Sequence, residues 1–166
     1  MARVLLGLGA NLGDRAANLY HALSELCRHG ARLLALSPLY ETEPWGVQDQ
    51  PRFLNAACQV EVTLEPQALL AMLKEIEKLL GRQPTVRYGP RPIDLDILLY
   101  DDVIIDTPQL QIPHPGMLAR GTVLVPLADI VPQIRHPLSG RTIAEHLAEL
   151  GPTPDVAPYP PGLPPK

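Results

Sequence analysis

Residues 53–81, FLNAACQVEVTLEPQALLAMLKEIEKLLG, change hydrophobic period partway along, and that change decides the fold. Up to Thr63 the residues read as a strand, with Val60 and Val62 alternating against Glu61 and Thr63. Beyond it, Leu69, Leu73, Ile76 and Leu80 recur at helical spacing. Thr63 or Glu65 serves as the cap, Pro66 sits in the first turn where a missing N–H costs little, and Gly81 closes the helix. Toward the N-terminus, residues 3–9 read as a buried strand. Asp14 caps a helix to about His29, striped by Leu19, Ala22, Leu23 and Leu26 and stopped by Gly30. Residues 32–40 read as a further strand, and another follows at 93–100. The order β-α-β-β-α-β predicts an α+β fold of the ferredoxin-like kind, a four-stranded antiparallel sheet with helices on one face. An irregular C-terminal third follows, with a short helix near 142–150.

The 166 residues fit a single domain over 1–150, followed by a proline-rich tail, GPTPDVAPYPPGLPPK. That tail has little to bury and is expected either disordered or laid extended along the surface. Hydrophobic content of 46% and charged content of 19% indicate a globular chain. No stretch approaches the roughly 20 apolar residues of a membrane span. The chain opens directly on a strand-like run, RVLLGLG, without signal-peptide architecture. Net charge is −4 with no basic run, which argues against nucleic-acid binding. Cys27 and Cys58 lie far apart without metal spacing and are expected as reduced core residues. A cytoplasmic monomer is the expectation. His21, His29, His136 and His146 read as surface or structural.

The chemistry concentrates in residues 87–100, RYGPRPIDLDILLY. Asp94 and Asp96 interrupt an apolar strand and point to one side, while Ile93, Leu95 and Ile97 line the other. Neighbouring anions on a half-buried strand repel each other unless positive charge intervenes. Arg82, Arg87 and Arg91 lie in the approach, in a Pro/Gly-rich loop. Paired hard oxygen ligands beside guanidinium forks suit magnesium-bound polyphosphate; a structural Arg–Asp network is the plainer alternative.

Three further segments bear on function. GLGANLGD at 7–14 has GxGxxxG spacing, one residue too long for a dinucleotide fingerprint, and reads as a tight β-to-α turn with close backbone approach. No GxxxxGK[ST] is present. Only seven residues are aromatic, yet Trp45, Phe53 and Tyr88 fall near the charged segment, which suits stacking of a flat ligand. Asn55 shares a strand face with Phe53 and offers a donor and an acceptor to a heterocycle edge. Loop anchoring by Trp45 and core packing by Phe53 are the alternatives. PHPGMLARG contributes His114 and Arg120, each a candidate phosphate contact.

GLGANLGD, ETEPWGVQDQPRFLNAA, Gly81–Arg82, RYGPRPIDLDILLYDD and IPHPGMLARGTVLVPL together resemble the 6-hydroxymethyl-7,8-dihydropterin pyrophosphokinase family, over about residues 3–130. The resemblance implies transfer of diphosphate from ATP to the pterin alcohol in folate biosynthesis. It implies Asp94 and Asp96 as ligands of two magnesium ions, and Arg82 and Arg91 as catalytic arginines on the phosphates. Arg87, Tyr88, His114 and Arg120 match ATP-contacting positions, with Glu77 and Ile97 similar to further ones. Thr42, Trp45, Phe53 and Asn55 match the pterin pocket, with Glu43 contributing through its backbone and Asp94 also near the pterin. Two positions depart from the family's pattern: Thr122 where a second stacking aromatic is common, and Pro115 where an aromatic often follows the histidine. A DxD nucleotide-sugar transferase and a non-catalytic ferredoxin-like sensor are the rival classes.

Overall fold

A computed structural model describes residues 1–43, 49–81 and 91–160. The sheet is built on β1 (Ala2–Ala10), whose even-numbered residues Val4, Leu6, Leu8 and Ala10 enter one core while Leu5 enters another. Flanking it antiparallel are β4 (Phe53–Val62) and β5 (Asp94–Tyr100). On the far side of β4 lie both β2 (Arg32–Leu36) and β3 (Leu39–Thr42). The single strand expected over 32–40 is broken at Ser37–Pro38 because proline cannot donate to a ladder. Buried Ser37 patches the break, its Oγ accepting from Ala57 N at 2.9 Å. Last comes β8 (Val156–Tyr159), antiparallel to β3. The order β5-β1-β4-β3-β8, with β2 also on β4, makes a six-stranded sheet, not the four-stranded one expected. The proline-rich segment thus contributes an edge strand, the one place a sheet tolerates Pro158. A small hairpin, β6 (Ile105–Asp106) with β7 (Gln111–Ile112), stands apart.

The main core packs α1 (Arg15–Arg28) and α2 (Pro66–Leu79) against the even-numbered face. Asp14 caps α1 by accepting from Ala17 N, as its position predicts. At α2 the cap residue is Glu65, without a side-chain bond, and Pro66 takes the first turn. Cys27, expected in the core, is exposed, since it falls outside the buried Leu19–Leu26 stripe. Cys58 is buried, and that burial pushes its thiol up to about 12.

The opposite face corrects a second expectation, because helices cover part of it too. Here α3 (Gly121–Ile130) and α4 (Ile143–Leu150) gather Met117, Leu124, Leu127 and Ile143 over Leu5, Ala57, Leu98 and Leu99. A register shift pairs Leu5 with Leu99 but Leu6 with Ile97, so Leu98 and Leu99 both enter this second cluster. GTVLVPLADI hides its helix from periodicity, being apolar almost throughout and interrupted by Pro126. Buried His136 and His146 are structural, their rings edge to face with centroids 5.9 Å apart. Among the described residues no helix is long and apolar enough to cross a membrane. What α3 and α4 leave uncovered is the end of this face carrying Gly7, Gly9, Phe53, Asn55, Asp94 and Asp96.

Candidate active site

Three adjacent strands form the floor. Gly9 of β1 stands between Asn55 of β4 and Asp94 of β5, and Gly7 between Ala57 and Asp96. The central strand therefore lacks side chains at two successive positions on this face, leaving a trough. A Cβ at Gly9 would lie 3.1 Å from Asn55 Nδ2 and 3.5 Å from Phe53 Cδ1, so a methyl there would push against the Asn55 amide. On one bank, the hydroxyl of buried Thr42 donates to Asn55 Oδ1 at 2.6 Å and fixes which way the amide points. Glu43, next in the chain, lines the cleft and directs its carboxylate to Arg52.

The other bank carries the acids. Strand alternation puts Asp94 and Asp96 on the same side, as expected, while Ile93, Leu95 and Ile97 enter the main core. Burial, the adjacent Asp94 charge and then Glu77 push the Asp96 carboxyl up to about 7, against the opposing pull of Lys74 and Arg120. Glu77 reaches from α2 beneath the strand edge, accepting from Leu95 N at 2.9 Å and lying 3.3 Å from Lys74 Nζ. It braces the backbone between the two aspartates. Ile97 turns its side chain into the core, so only its main chain is available to a ligand.

Arg91 Nη1 lies 3.5 Å from Asp94 Oδ1. Its backbone is clasped by buried Asn11, whose Oδ1 accepts from Arg91 N at 2.8 Å and whose N donates to Arg91 O at 3.1 Å. Asn11 Nδ2 also donates to Gln50 Oε1 at 2.8 Å and Pro51 O at 3.0 Å. One side chain thus ties Gln50 and Pro51 to Arg91. His114 Nδ1 accepts from Gly116 N at 3.2 Å, leaving Nε2 for a ligand. Burial first and then Arg120 hold its imidazole below the usual value, with Asp94 opposing. Arg120 lies across Gly116, where a Cβ would meet its guanidinium carbon at 3.0 Å.

A single cleft of about 420 Å³ brings together Thr42, Glu43, Phe53, Asn55, Arg91, Asp94, Asp96, His114 and Arg120. That lies within the roughly 300–1,000 Å³ of a small-molecule site. Glu77 and Ile97 stand behind it. Trp45, Arg82, Arg87 and Tyr88 lie outside the described residues. Pro115 and Thr122 line the cleft too, as does Lys74, which the sequence reading passed over. Asn11 was missed as well: GLGANLGD was read for its glycines, although an asparagine in a turn is itself a signal for backbone bonding.

Among the described residues no group of three His, Cys, Asp or Glu side chains is arranged to hold a metal. Two carboxylates with excess negative charge, and phosphates and water to complete the shell, are what magnesium takes, so the acids fit that ion.

The model of the 7,8-dihydro-6-hydroxymethylpterin-pyrophosphokinase (HPPK) family matches residues 5–132. A 2-amino-4-hydroxy-6-hydroxymethyldihydropteridine pyrophosphokinase of Methylorubrum extorquens is 44% identical over 154 residues, covering 92% of this chain and 96% of the relative. The folic acid synthesis protein fol1 of Pneumocystis carinii is 43% identical over 147 residues, 89% of this chain. The chain spans only 20% of the length of that fungal protein. In fold, it is similar to the crystal structure of Plasmodium falciparum HPPK-DHPS with pteroate, at a TM-score of 0.72 and 18% identity, covering 89% of this chain and 42% of that one. With the family model spanning most of its length, this chain belongs to the 7,8-dihydro-6-hydroxymethylpterin-pyrophosphokinase family.

Proposed function

We propose that this protein transfers diphosphate from ATP to the hydroxymethyl group of 6-hydroxymethyl-7,8-dihydropterin, releasing AMP, as a step of folate biosynthesis. The observation that carries this reading is the glycine trough. It separates the Phe53–Asn55 bank from the Asp94–Asp96 bank by two strand spacings, roughly 10 Å. A two-ring heterocycle with a one-carbon arm spans that gap, with its ring on Phe53 and its hydroxyl at the acids.

Phe53 stacks the ring, and Asn55, oriented by Thr42, reads its polar edge together with the Glu43 backbone; Trp45 completes the pocket. Asp94 and Asp96 hold two magnesium ions. Bound magnesium offsets the phosphate charge and polarises the attacking hydroxyl. Arg82 and Arg91 grip the phosphate oxygens and tighten as charge moves toward AMP. His114 donates from Nε2 to a phosphate oxygen, Arg120 adds charge, and Arg87, Tyr88, Glu77 and the Ile97 main chain border the nucleotide. Phosphoryl transfer of this kind needs alignment and neutralisation more than proton abstraction, so no side chain is required as a general base. Both cysteines are free, which suits the cytoplasm.

Asp96→Ala is expected to abolish AMP formation while leaving pterin affinity without nucleotide within about twofold, because the ring is held on the opposite bank by Phe53 and Asn55. Product analysis checks the reading as a whole: AMP must form from ATP only when the pterin alcohol and magnesium are both present. Release of a nucleoside diphosphate in the presence of a sugar, or binding without turnover, would replace it with the transferase or the sensor.

A further inference from the structure

We propose that residues 151–160 are a strap that positions the pterin pocket, an inference that rests on the pocket assignment above. After α4 the chain crosses the first turn of α3. There Thr153 and Val156 press on Gly121 so closely that a Cβ at 121 would lie 2.6 Å from Thr153 Cγ2 and 3.5 Å from Val156 Cγ2. Gly121 stands between Arg120 and Thr122, both of which line the cleft. The strap then pairs with β3, Val156 opposite Thr42, Ala157 opposite Glu41 and Tyr159 opposite Leu39.

Thr42 is the residue that orients Asn55, so the strap braces the pocket at its recognition bank and at the helix start facing it. A third tie reaches α1. Arg15 lies 5.5 Å over the Tyr159 ring while its guanidinium pairs with Glu41 at 2.8 Å. Pro158 has no N–H, so the pairing with β3 depends on the donors of its neighbours. Without the strap, β3 becomes an exposed edge, and Thr42 keeps only its pairing with Phe53 of β4.

In the full-length protein, Ala157→Pro removes one of those donors. It is expected to raise the KM for the pterin alcohol about tenfold, with the KM for ATP and kcat within about twofold, because strand-edge pairing is worth roughly one such factor. Gly121→Ala, which crowds Thr153, is expected to raise the pterin KM in the same selective way. Adding Thr153→Ser, which removes the crowding methyl, is expected to restore it. Thermal melts verify that each variant is folded, and should Ala157→Pro not fold, the Gly121 pair decides. An unchanged pterin KM in the folded variants, or equal losses for both substrates, overturns the strap. Asn55→Ala runs alongside. If it raises the pterin KM while the strap variants do not, the strap alone fails; if it has no effect, the pocket assignment and the strap fall together.

Discussion

Asp96 is held in a state that the folded chain would not choose for itself. Burial and two nearby carboxylates lift its carboxyl to about 7, whereas in the unfolded chain it ionises near the ordinary 3.8. Between those values the unfolded state carries fewer protons than the folded one, so metal-free stability falls as pH rises from about 4 to about 7 and stays lowered above. Asp96→Asn is therefore expected to flatten that slope and to raise the metal-free Tm at pH 8 by about 3 °C, read by thermal melts across pH. A variant whose Tm follows the wild-type slope would exclude this strain. Gly9 makes the complementary case. Gly9→Ala places a methyl 3.1 Å from Asn55 Nδ2, and overpacking of that kind costs roughly 1–3 kcal/mol. Pterin affinity measured by calorimetry is expected to fall about tenfold or more, with ATP affinity nearly unchanged. The shared side of Asp94 and Asp96 was legible in the sequence because strand period alone decides it. Gly9 was not, since its meaning depends on which strands lie on either side.

At the scale of elements, Asn11 does the work of a clasp. Its partners Gln50 and Arg91 are 39 and 80 residues away, a separation no local pattern encodes. Asn11→Ala removes its bonds to the part-buried Arg91 N–H and Pro51 carbonyl, a loss of roughly 0.5–1.5 kcal/mol each. Steady-state kinetics are expected to show kcat/KM falling at least about tenfold for both substrates, in contrast to the one-sided effect at Gly9. A loss confined to one substrate would show that the two segments are not joined through this residue. The strands and helices of the first 100 residues were readable because their periods are clean, Asp14 and Pro66 marking the starts. The second layer was not. Its helix α3 is apolar almost throughout, and β8 consists of four residues in a proline-rich tract whose strand character comes only from the edge that β3 offers. Ser37 shows the same limit on a smaller scale, since a break in a strand is visible as Pro38 but its repair by a hydroxyl is not.

For the molecule as a whole, the central fact is that one cleft joins the two banks. Phe53, Asn55 and Thr42 share walls with Arg91, Asp94 and His114, so ligands at the two ends of the cleft would lie side by side. A non-hydrolysable ATP analogue with magnesium is expected to tighten pterin binding about five- to tenfold, and the pterin must tighten the analogue by the same factor. Titration calorimetry on the Asp96→Ala variant is expected to show that coupling weaken, because one of the two carboxylates proposed to hold magnesium between the ligands is gone. Persistence of the coupling would place its origin elsewhere. The two thiols make such measurements simple. Cys58 is sealed in the sheet and stays protonated, whereas Cys27 projects from the last turn of α1, about 20 Å along the helix from the end nearest the cleft. A maleimide dye added to the wild-type enzyme therefore attaches at one place only, giving a homogeneous optical reporter without any cysteine having to be engineered in or out.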